Sequence, residues 1–277
     1  MKIPKYWAKE IYSINQGPGK TVVGVCWRWS ETSLDEARQR AKAGAQQVAQ
    51  KLADQQKPDR YAYDERPLRE EITQVITNNR NQEIGLVTRN AYGALVLNAA
   101  QAMFIDIDFK DEAKPAINLF GKGPSQEDKA VREVEQWVQR QPGLSLRIYR
   151  TFGGLRCLII NEVFDPTAKS SLEILNSLKS DPLYVRLCQS QSCFRARLTP
   201  KHWRCGLSKP PARFPWDNTP DELRYRQWEA DYQRASAQYA VCKLIKQIGS
   251  QAVHPDVAPI LALHDRFTSP ASNLALA

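Results

Sequence analysis

The chain has 277 residues, and its 39 lysines and arginines against 30 aspartates and glutamates give a formal net charge of +9. A hydrophobic fraction of 42% excludes disordered and fibrous proteins, and no apolar run approaches the roughly 18 residues that a membrane span needs. The charged N-terminus lacks the apolar core of a signal peptide, so we expect a cytoplasmic protein with no membrane partner. The excess of basic residues favours an anionic partner.

The N-terminal region predicts a strand hairpin followed by a helix. Gly17–Gly19 is a turn signal between two segments with strand composition. Ser33, with Glu36 three positions later, forms a capping box that starts a helix. The predicted elements are strands at 5–14 and 20–29, a helix to about Gln55 and a loop over 56–70.

The rest of the chain predicts short strands interrupted by helices, which is typical of an α+β fold. In order, the predicted elements are short strands within 84–109, a helix at 126–141, strands at 144–150 and 155–161, and a helix at about 168–179. They are followed by a long helix from Thr219 to Gly249 and a short helix near 256–265.

Asp106 and Asp108 lie two residues apart in the apolar segment MFIDIDF, which predicts a strand. Alternation places both carboxylates on one face, with Cα atoms roughly 6.6 Å apart, while Ile105 and Ile107 face a core. Adjacent carboxylates repel each other unless a cation lies between them, and oxygen ligands suit Mg²⁺ or Mn²⁺. The pair therefore predicts a divalent metal site of the kind used in phosphoryl transfer. The alternative is a solvated sheet face.

The segment RIYRTFGGLRCLI predicts a hairpin that returns beside the aspartate strand. Gly153 and Gly154 at its turn would let the backbone approach a phosphate closely. Arg150 and Arg156, six residues apart, would clamp that phosphate from the two strands. The alternative is an ordinary hairpin with a glycine turn and two exposed arginines.

These segments together resemble the catalytic palm of the archaeo-eukaryotic primase-polymerase superfamily, which includes primases and the polymerase modules of bacterial end-joining ligases. The segment FIDID matches its Asp-x-Asp motif, and TFGGLR matches its glycine hairpin, with Arg156 at the place of the family's nucleotide-contacting histidine. No acidic residue matches the third motif convincingly. The resemblance covers about residues 84–200. It implies an RRM-like palm, a bound Mg²⁺ or Mn²⁺ ion, and nucleotidyl transfer with Asp106, Asp108 and Arg156 as catalytic residues.

We therefore expect an α+β protein whose palm has a mixed or antiparallel sheet flanked by N-terminal and C-terminal helices. Three regions are predicted: strands and a helix over 1–83, the palm over 84–216, and a helical extension over 217–277. No internal repeat divides the chain further.

Residues 182–216 hold cations and interleaved aromatic residues but no aspartate or glutamate. Such a segment creates a positive potential that attracts phosphates, and its rings would stack on exposed bases. Arg195 and Arg197 lie two apart on a predicted strand and so share a face. The alternative is a solvated edge strand whose aromatic residues are core. The residues predicted to bind nucleotide or nucleic acid are Arg150, Arg156, Arg195, Arg197, Lys201 and Arg204.

The same segment contains four residues able to bind zinc, which are Cys188, Cys193, His202 and Cys205. Thiolates and an imidazole suit a tetrahedral Zn²⁺ site, although the spacing lacks a C-x₂-C pair. The alternative is that these cysteines are buried core residues.

The sequence favours a nucleic-acid-binding protein with metal-dependent nucleotidyl transfer, whose partners are nucleic acid and nucleoside triphosphate. One alternative is an accessory protein that keeps the palm but does not turn over nucleotides. Another is a structural zinc protein whose basic strip contacts another protein. A third carboxylate within metal reach of Asp106 would favour the enzyme, and the absence of one would favour the accessory protein. Stoichiometric zinc in the purified protein would favour the structural zinc protein.

Overall fold

The computed structural model describes residues 1–56, 67–109 and 125–277, and these residues form a mixed α+β fold. The loop predicted over 56–70 lies mostly outside the described residues. Among the described residues, none of the helices combines the length and apolar character that crossing a bilayer requires.

The strands and helices are numbered in chain order. The strands are β1 (Tyr6–Asn15), β2 (Thr21–Ser30), β3 (Glu71–Thr77), β4 (Glu83–Arg89), β5 (Leu95–Ala99), β6 (Phe104–Asp108), β7 (Leu146–Thr151), β8 (Gly154–Ile159), β9 (Phe194–Arg197), β10 (Tyr239–Ala240), β11 (Cys242–Ile248) and β12 (Ala275–Leu276). The helices are α1 (Leu34–Ala53), α2 (Gln126–Gln139), α3 (Lys169–Ser177), α4 (Pro182–Gln191), α5 (Thr219–Ser236) and α6 (Ala258–Thr268).

Strands β1 and β2 form an antiparallel hairpin that α1 covers on one side. The helix begins where the sequence predicts it, because the Ser33 side chain accepts a hydrogen bond from the Glu36 backbone N–H. The buried side of α1 is alanine-rich, and a Cβ at Gly24 of β2 would collide with the Ala45 carbonyl group. Small residues on both sides therefore let the helix and the hairpin approach closely.

Two antiparallel four-stranded sheets form the centre of the fold, with the orders β3-β4-β5-β9 and β11-β7-β8-β6. In the second sheet, β8 lies between β6 and β7 and is antiparallel to both. Strands β6 and β7 are therefore parallel, and α2 lies between them in the chain. Helix α2 places Val134, Trp137 and Val138 in the main core, together with Ile105 and Cys157 of the sheet.

The long helix predicted from Thr219 to Gly249 is wrong in its second half. Helix α5 ends at Ser236, and β11 pairs antiparallel with β7 at the edge of the second sheet. Residues 239–248 are rich in aliphatic side chains, which suit a buried helix stripe or a strand equally well. The segment forms strand β11 because the edge of β7 offers hydrogen-bond partners to its backbone.

Besides the short strands β10 and β12, the sequence prediction lacks β3 and α4. Because β3 pairs with β4, which begins at Glu83, the predicted boundary at residue 83 falls inside a sheet hairpin. Helix α4 begins after Asp181, whose side chain accepts hydrogen bonds from the first N–H groups of the helix. The region 217–277 is likewise more than a helical extension, since β11 belongs to the central sheet.

Candidate metal and nucleotide site

The aspartate pair and the glycine hairpin lie side by side, as the sequence predicts. In the register of β6 and β8, Asp106 is opposite Arg156 and Asp108 is opposite Gly154. Opposite residues of antiparallel strands share a face, so both carboxylates and the Arg156 side chain lie on the same side of the sheet. Gly154 is required by the sheet itself, because a Cβ there would collide with the Ile107 carbonyl group.

Arg156 lies beneath the carboxylates and is only 3% exposed. Its Nε atom is 3.7 Å from an Asp106 carboxylate oxygen, and its Nη1 atom donates a 2.9 Å hydrogen bond to the Arg197 carbonyl oxygen. Nη1 also lies 3.4 Å from Nε2 of His264 in α6. The guanidinium therefore fixes Asp106 from the core side, and its burial leaves little surface for direct contact with a nucleotide.

His264 is fully buried and neutral behind Arg156. Burial lowers the pKa of His264 to about 4, a shift that a hydrogen bond with Asp265 opposes and the charge of Arg156 reinforces. Nδ1 lies 2.9 Å from an Asp265 carboxylate oxygen, so the ring carries its proton on Nδ1 and offers Nε2 as an acceptor to Arg156. The ring also contacts Phe104 and Tyr149 of the sheet. A neutral ring here adds no further positive charge beside the site.

The start of α4 is hydrogen-bonded to the aspartate strand. The Asp106 carbonyl oxygen accepts a hydrogen bond from the Ser180 hydroxyl at 2.8 Å and from the Asp181 backbone N–H at 3.0 Å. The Tyr184 hydroxyl donates to the Phe104 carbonyl oxygen at 2.7 Å. These bonds hold β6 by its backbone and bring Asp181 close to the aspartate pair.

The carboxylate of Asp108 is destabilised in its charged form. Burial raises the pKa of Asp108, and the negative charges of Asp106 and Asp181 raise it further. Lys201 and Arg197 oppose this shift in pKa without cancelling it. A divalent cation between the carboxylates would remove the repulsion, so the donor set fits a hard metal ion such as Mg²⁺ or Mn²⁺.

Arg197, Lys201 and Arg204 form a cationic group next to the aspartates. Burial and the charge of Arg156 lower the pKa of Arg197 to about 10, and burial lowers the pKa of Lys201 and of Arg204. The buried Nε atom of Arg197 has no hydrogen-bond partner among the described residues. Crowded and partly dehydrated cations attract an anion, so this side of the site fits a phosphate group.

Three aromatic rings that are each about half exposed border the site. The Arg204 guanidinium lies 3.9 Å from the ring centroid of Phe152, which occupies the hairpin turn. Lys201 Nζ lies 5.1 Å from the ring centroid of Trp203, and Trp203 meets Tyr92 edge to face at 5.5 Å. Rings beside cations offer surfaces on which bases stack.

Two of the predicted phosphate ligands are engaged elsewhere. Arg150 lies on the sheet face that α2 covers, where its Nε atom donates to Glu127 at 2.9 Å, so the clamp predicted for the hairpin is not formed. Arg195 shares a face with Arg197, as predicted, but it is only 9% exposed and is ion-paired with Glu70 at 2.8 Å. Both side chains are held by carboxylates of the protein rather than presented to a ligand.

The four residues considered for zinc do not come together in the structure as a metal-binding group. Cys188 and Cys193 are fully buried, and burial raises their pKa values to about 11 and about 12. His202 contacts a backbone carbonyl group through Nδ1, and Cys205 is partly exposed. No three His, Cys, Asp or Glu side chains are grouped as metal ligands in the described part of the chain. This arrangement gives the zinc prediction no support.

No protein-family model, curated protein or solved structure matches this chain. The site is therefore defined by its own geometry, which includes two residues that sequence reasoning missed. Asp181 has a local signal, because an aspartate before Pro182 is a typical helix start. His264 has none, since it reaches Arg156 from 108 positions away in the chain.

Proposed function

We propose that this protein binds a nucleoside triphosphate and nucleic acid at the aspartate site and carries out metal-dependent nucleotidyl transfer. One observation carries the proposal: Asp106 and Asp108 share one sheet face with Arg156, and the neighbouring Arg197 has a buried Nε atom without a hydrogen-bond partner among the described residues. Burial together with the crowding of like charges raises the pKa of Asp108 in the acidic group and lowers the pKa of Arg197 in the basic group. A metal–triphosphate complex would supply a cation to the aspartates and an anion to the basic side chains at the same time.

Asp106 and Asp108 would hold the metal ion through their carboxylate oxygens. Mg²⁺ is commonly bound by one or two carboxylates together with substrate phosphates and water, so the pair alone can hold the ion. No third carboxylate is grouped with the pair in the described part of the chain, which is the arrangement that favours an accessory protein without turnover. When bound, the ion would neutralise charge on the transferred phosphoryl group. Arg156 is a positioning residue in this proposal, because it contacts the Asp106 carboxylate from the core side.

Arg197, Lys201 and Arg204 would hold the phosphates. The unpartnered Nε–H of Arg197 would donate to a phosphate oxygen, and the exposed rings of Phe152 and Trp203 would stack on bases. The chain order of β6, α2, β7 and β8 also supports the proposal, since it is the strand–helix–hairpin order of the palm that the sequence resembles.

The test is extension of a labelled primer on a template, and dinucleotide synthesis without a primer, in Mg²⁺ or Mn²⁺. We expect product from the wild type and none from the variant with both Asp106→Asn and Asp108→Asn. The matched control is Asp35→Asn, because Asp35 lies on α1 and its side chain is 84% exposed. Equal background from the wild type and the double variant would contradict an active enzyme.

A palm that binds nucleotides without turnover is the second candidate. It is favoured by Arg156, since an arginine stays charged and cannot exchange protons near neutral pH as a histidine does. It is also favoured by Asp181, whose carboxylate is engaged as the cap of α4. Metal-dependent nucleotide binding that is lost in the double aspartate variant, without product from the wild type, would select this candidate.

A further inference from the structure

A second cleft, of about 780 Å³, contains none of the aspartate-site residues. It lies between the β1–β2 hairpin, the segment 212–216 and α5. Six aromatic residues line it: Trp7, Trp27, Trp29, Phe214, Trp216 and Tyr225.

Strand pairing explains why three indoles face this cleft. Trp7 is opposite Trp29 and Lys9 is opposite Trp27, so alternation places these four side chains on one face of the hairpin. Helix α1 covers the other face. The hairpin therefore uses its alanine-facing side for the fold and presents its tryptophan side to the cleft.

Two buried polar atoms indicate that the cleft takes a ligand. Trp7 is 8% exposed and Tyr225 is 3% exposed, yet neither the indole Nε1 nor the tyrosine hydroxyl has a hydrogen-bond partner among the described residues. Buried polar groups without partners are rare in folded proteins. Because an indole N–H only donates, the missing group must offer an acceptor.

The rim of the cleft carries an exposed cation, Arg213. Three acidic residues lie at or beside this rim in the described part of the chain, and each is ion-paired within the protein: Glu70 with Arg195, Asp217 with Lys9 and Asp221 with Arg224. This balance of charges favours an anionic ligand.

We propose that the cleft binds the unpaired bases of single-stranded nucleic acid. Flat aromatic faces stack on any base, and the exposed Arg213 attracts the phosphate backbone. The carbonyl oxygens and ring nitrogens on base edges are acceptors of the kind that the two unpartnered groups require.

The cleft adjoins the aspartate site through a single turn. Asn90 and Ala91 line the cleft, and the next residue, Tyr92, contacts Trp203, which lies beside Lys201. A strand that leaves the cleft over this turn would meet Trp203 and Lys201.

Fluorescence anisotropy with a labelled oligothymidylate and the full chain in EDTA tests the proposal. Trp27→Ala should weaken binding roughly 5- to 140-fold, which is the loss expected when one stacked base loses its aromatic partner. Trp27→Phe keeps a ring and should keep most of the affinity. The matched control is Tyr12→Ala, which removes a partly exposed ring from the opposite face of the same hairpin.

An abasic strand of the same length separates stacking from charge attraction. The wild type should bind it more weakly than oligothymidylate, and Trp27→Ala should bind both alike. Tyr225→Phe removes only the unpartnered hydroxyl, so it should weaken oligothymidylate binding roughly 2- to 10-fold without lowering thermal stability. Equal wild-type affinity for the two strands, no detectable binding, or unchanged affinity in Trp27→Ala and Tyr225→Phe would overturn the proposal.

The proposal for the cleft and the proposal for the aspartate site are tested by separate measurements. The variant with Asp106→Asn and Asp108→Asn tests product formation alone, because oligothymidylate binding in EDTA is measured without the metal ion that these carboxylates would hold. If that variant lost product formation while the cleft variants bound normally, the proposed function would be supported and the cleft proposal would be overturned.

Discussion

Arg195 and Arg197 lie two residues apart on the same face of β9, yet they belong to different regions of the molecule. Arg195 is ion-paired with Glu70 in a buried network that continues to Thr88 and Asn98. Arg197 faces the aspartate site, where burial and neighbouring cations lower its pKa. Each side chain has one buried nitrogen without a hydrogen-bond partner among the described residues, Nη1 in Arg195 and Nε in Arg197, so the contrast lies in the ion pair with Glu70. One arginine is part of the fold, and the other is available to a ligand.

The difference between the two regions lies in their carboxylates. Glu70 comes from 125 positions away in the chain and balances the charge of Arg195 within the protein. At the aspartate site, cations crowd together next to carboxylates, and burial together with the repulsion of the other carboxylates raises the pKa of Asp108. A balanced pair stabilises the fold, whereas a crowded cluster keeps its affinity for a ligand of opposite charge.

The largest expected effect follows from breaking the ion pair between Arg195 and Glu70. Arg195→Ala leaves the Glu70 carboxylate buried without a cation, and removing one partner of a buried ion pair costs about 3–5 kcal/mol. We expect urea denaturation to show this loss in the free energy of unfolding, with an unchanged salt dependence of oligonucleotide binding. The double variant with Arg195→Met and Glu70→Gln should recover part of the loss. If Arg195→Ala kept wild-type stability but bound oligonucleotide more weakly, Arg195 would be a ligand-binding residue instead.

Acid should act on the aspartate side through His264. The pKa of His264 is about 4 in the folded protein and about 6.5 when unfolded, so the unfolded chain binds more protons between these values. Stability therefore falls as the pH falls through this window, by up to about 3 kcal/mol, and His264→Gln should lack this contribution. Urea denaturation of both proteins near neutral pH and near pH 4 measures it. An identical loss in both proteins would contradict the assignment.

Arg197→Gln should separate stability from binding. The substitution removes a crowded and dehydrated charge, so the free energy of unfolding should stay within about 1 kcal/mol of the wild type. Affinity for a nucleoside triphosphate should fall roughly 10- to 100-fold, and the log–log salt slope for single-stranded nucleic acid should drop by roughly 0.7. Titration calorimetry and anisotropy measure these effects. The control is Arg38→Gln, because the Arg38 side chain lies on α1 and is 58% exposed. If Arg197→Gln lost stability but kept its affinity for both ligands, Arg197 would be the arginine that stabilises the fold.

The smallest effect concerns Asp108. Because its pKa is raised in the folded protein, the ionised carboxylate costs stability at neutral pH, and the cost disappears as the group is protonated at low pH. Asp108→Asn should therefore raise the thermal midpoint slightly in EDTA at neutral pH, by less than about 1 kcal/mol of stability. Scanning calorimetry at neutral and acid pH tests this, and a lower midpoint at neutral pH would show that the carboxylate is already balanced.

Local patterns were sufficient to predict the aspartate strand and its hairpin. Alternation in FIDID predicted that Asp106 and Asp108 share a face, and the glycine turn predicted a hairpin beside them, as the pairing of β6 with β8 confirms. The Ser33 signal likewise predicted the start of α1. These features depend on residues that are close in the chain, so the sequence expresses them directly.

The rest of the site depends on residues that are distant in the chain. Nothing near Arg195 in sequence indicates that Glu70 neutralises it, and nothing near Arg156 indicates that His264 lies behind it. Strand β11 shows the same limit, because residues 239–248 suit a helix or a strand until the edge of β7 is available. Composition therefore identified a basic segment, and only the fold separated its structural cations from those that remain for a ligand.

The bonds from Ser180, Asp181 and Tyr184 to β6 also bear on self-association. Strand β6 stands at the end of its sheet, and carbonyl groups along such an edge offer a template for strands of another chain. The carbonyl oxygens of Phe104 and Asp106 are already occupied by side-chain and backbone donors of the α4 region. At the opposite end of the sheet, β11 carries lysines that disfavour such pairing. The contacts that position the carboxylates thus also close this edge to aggregation by strand addition.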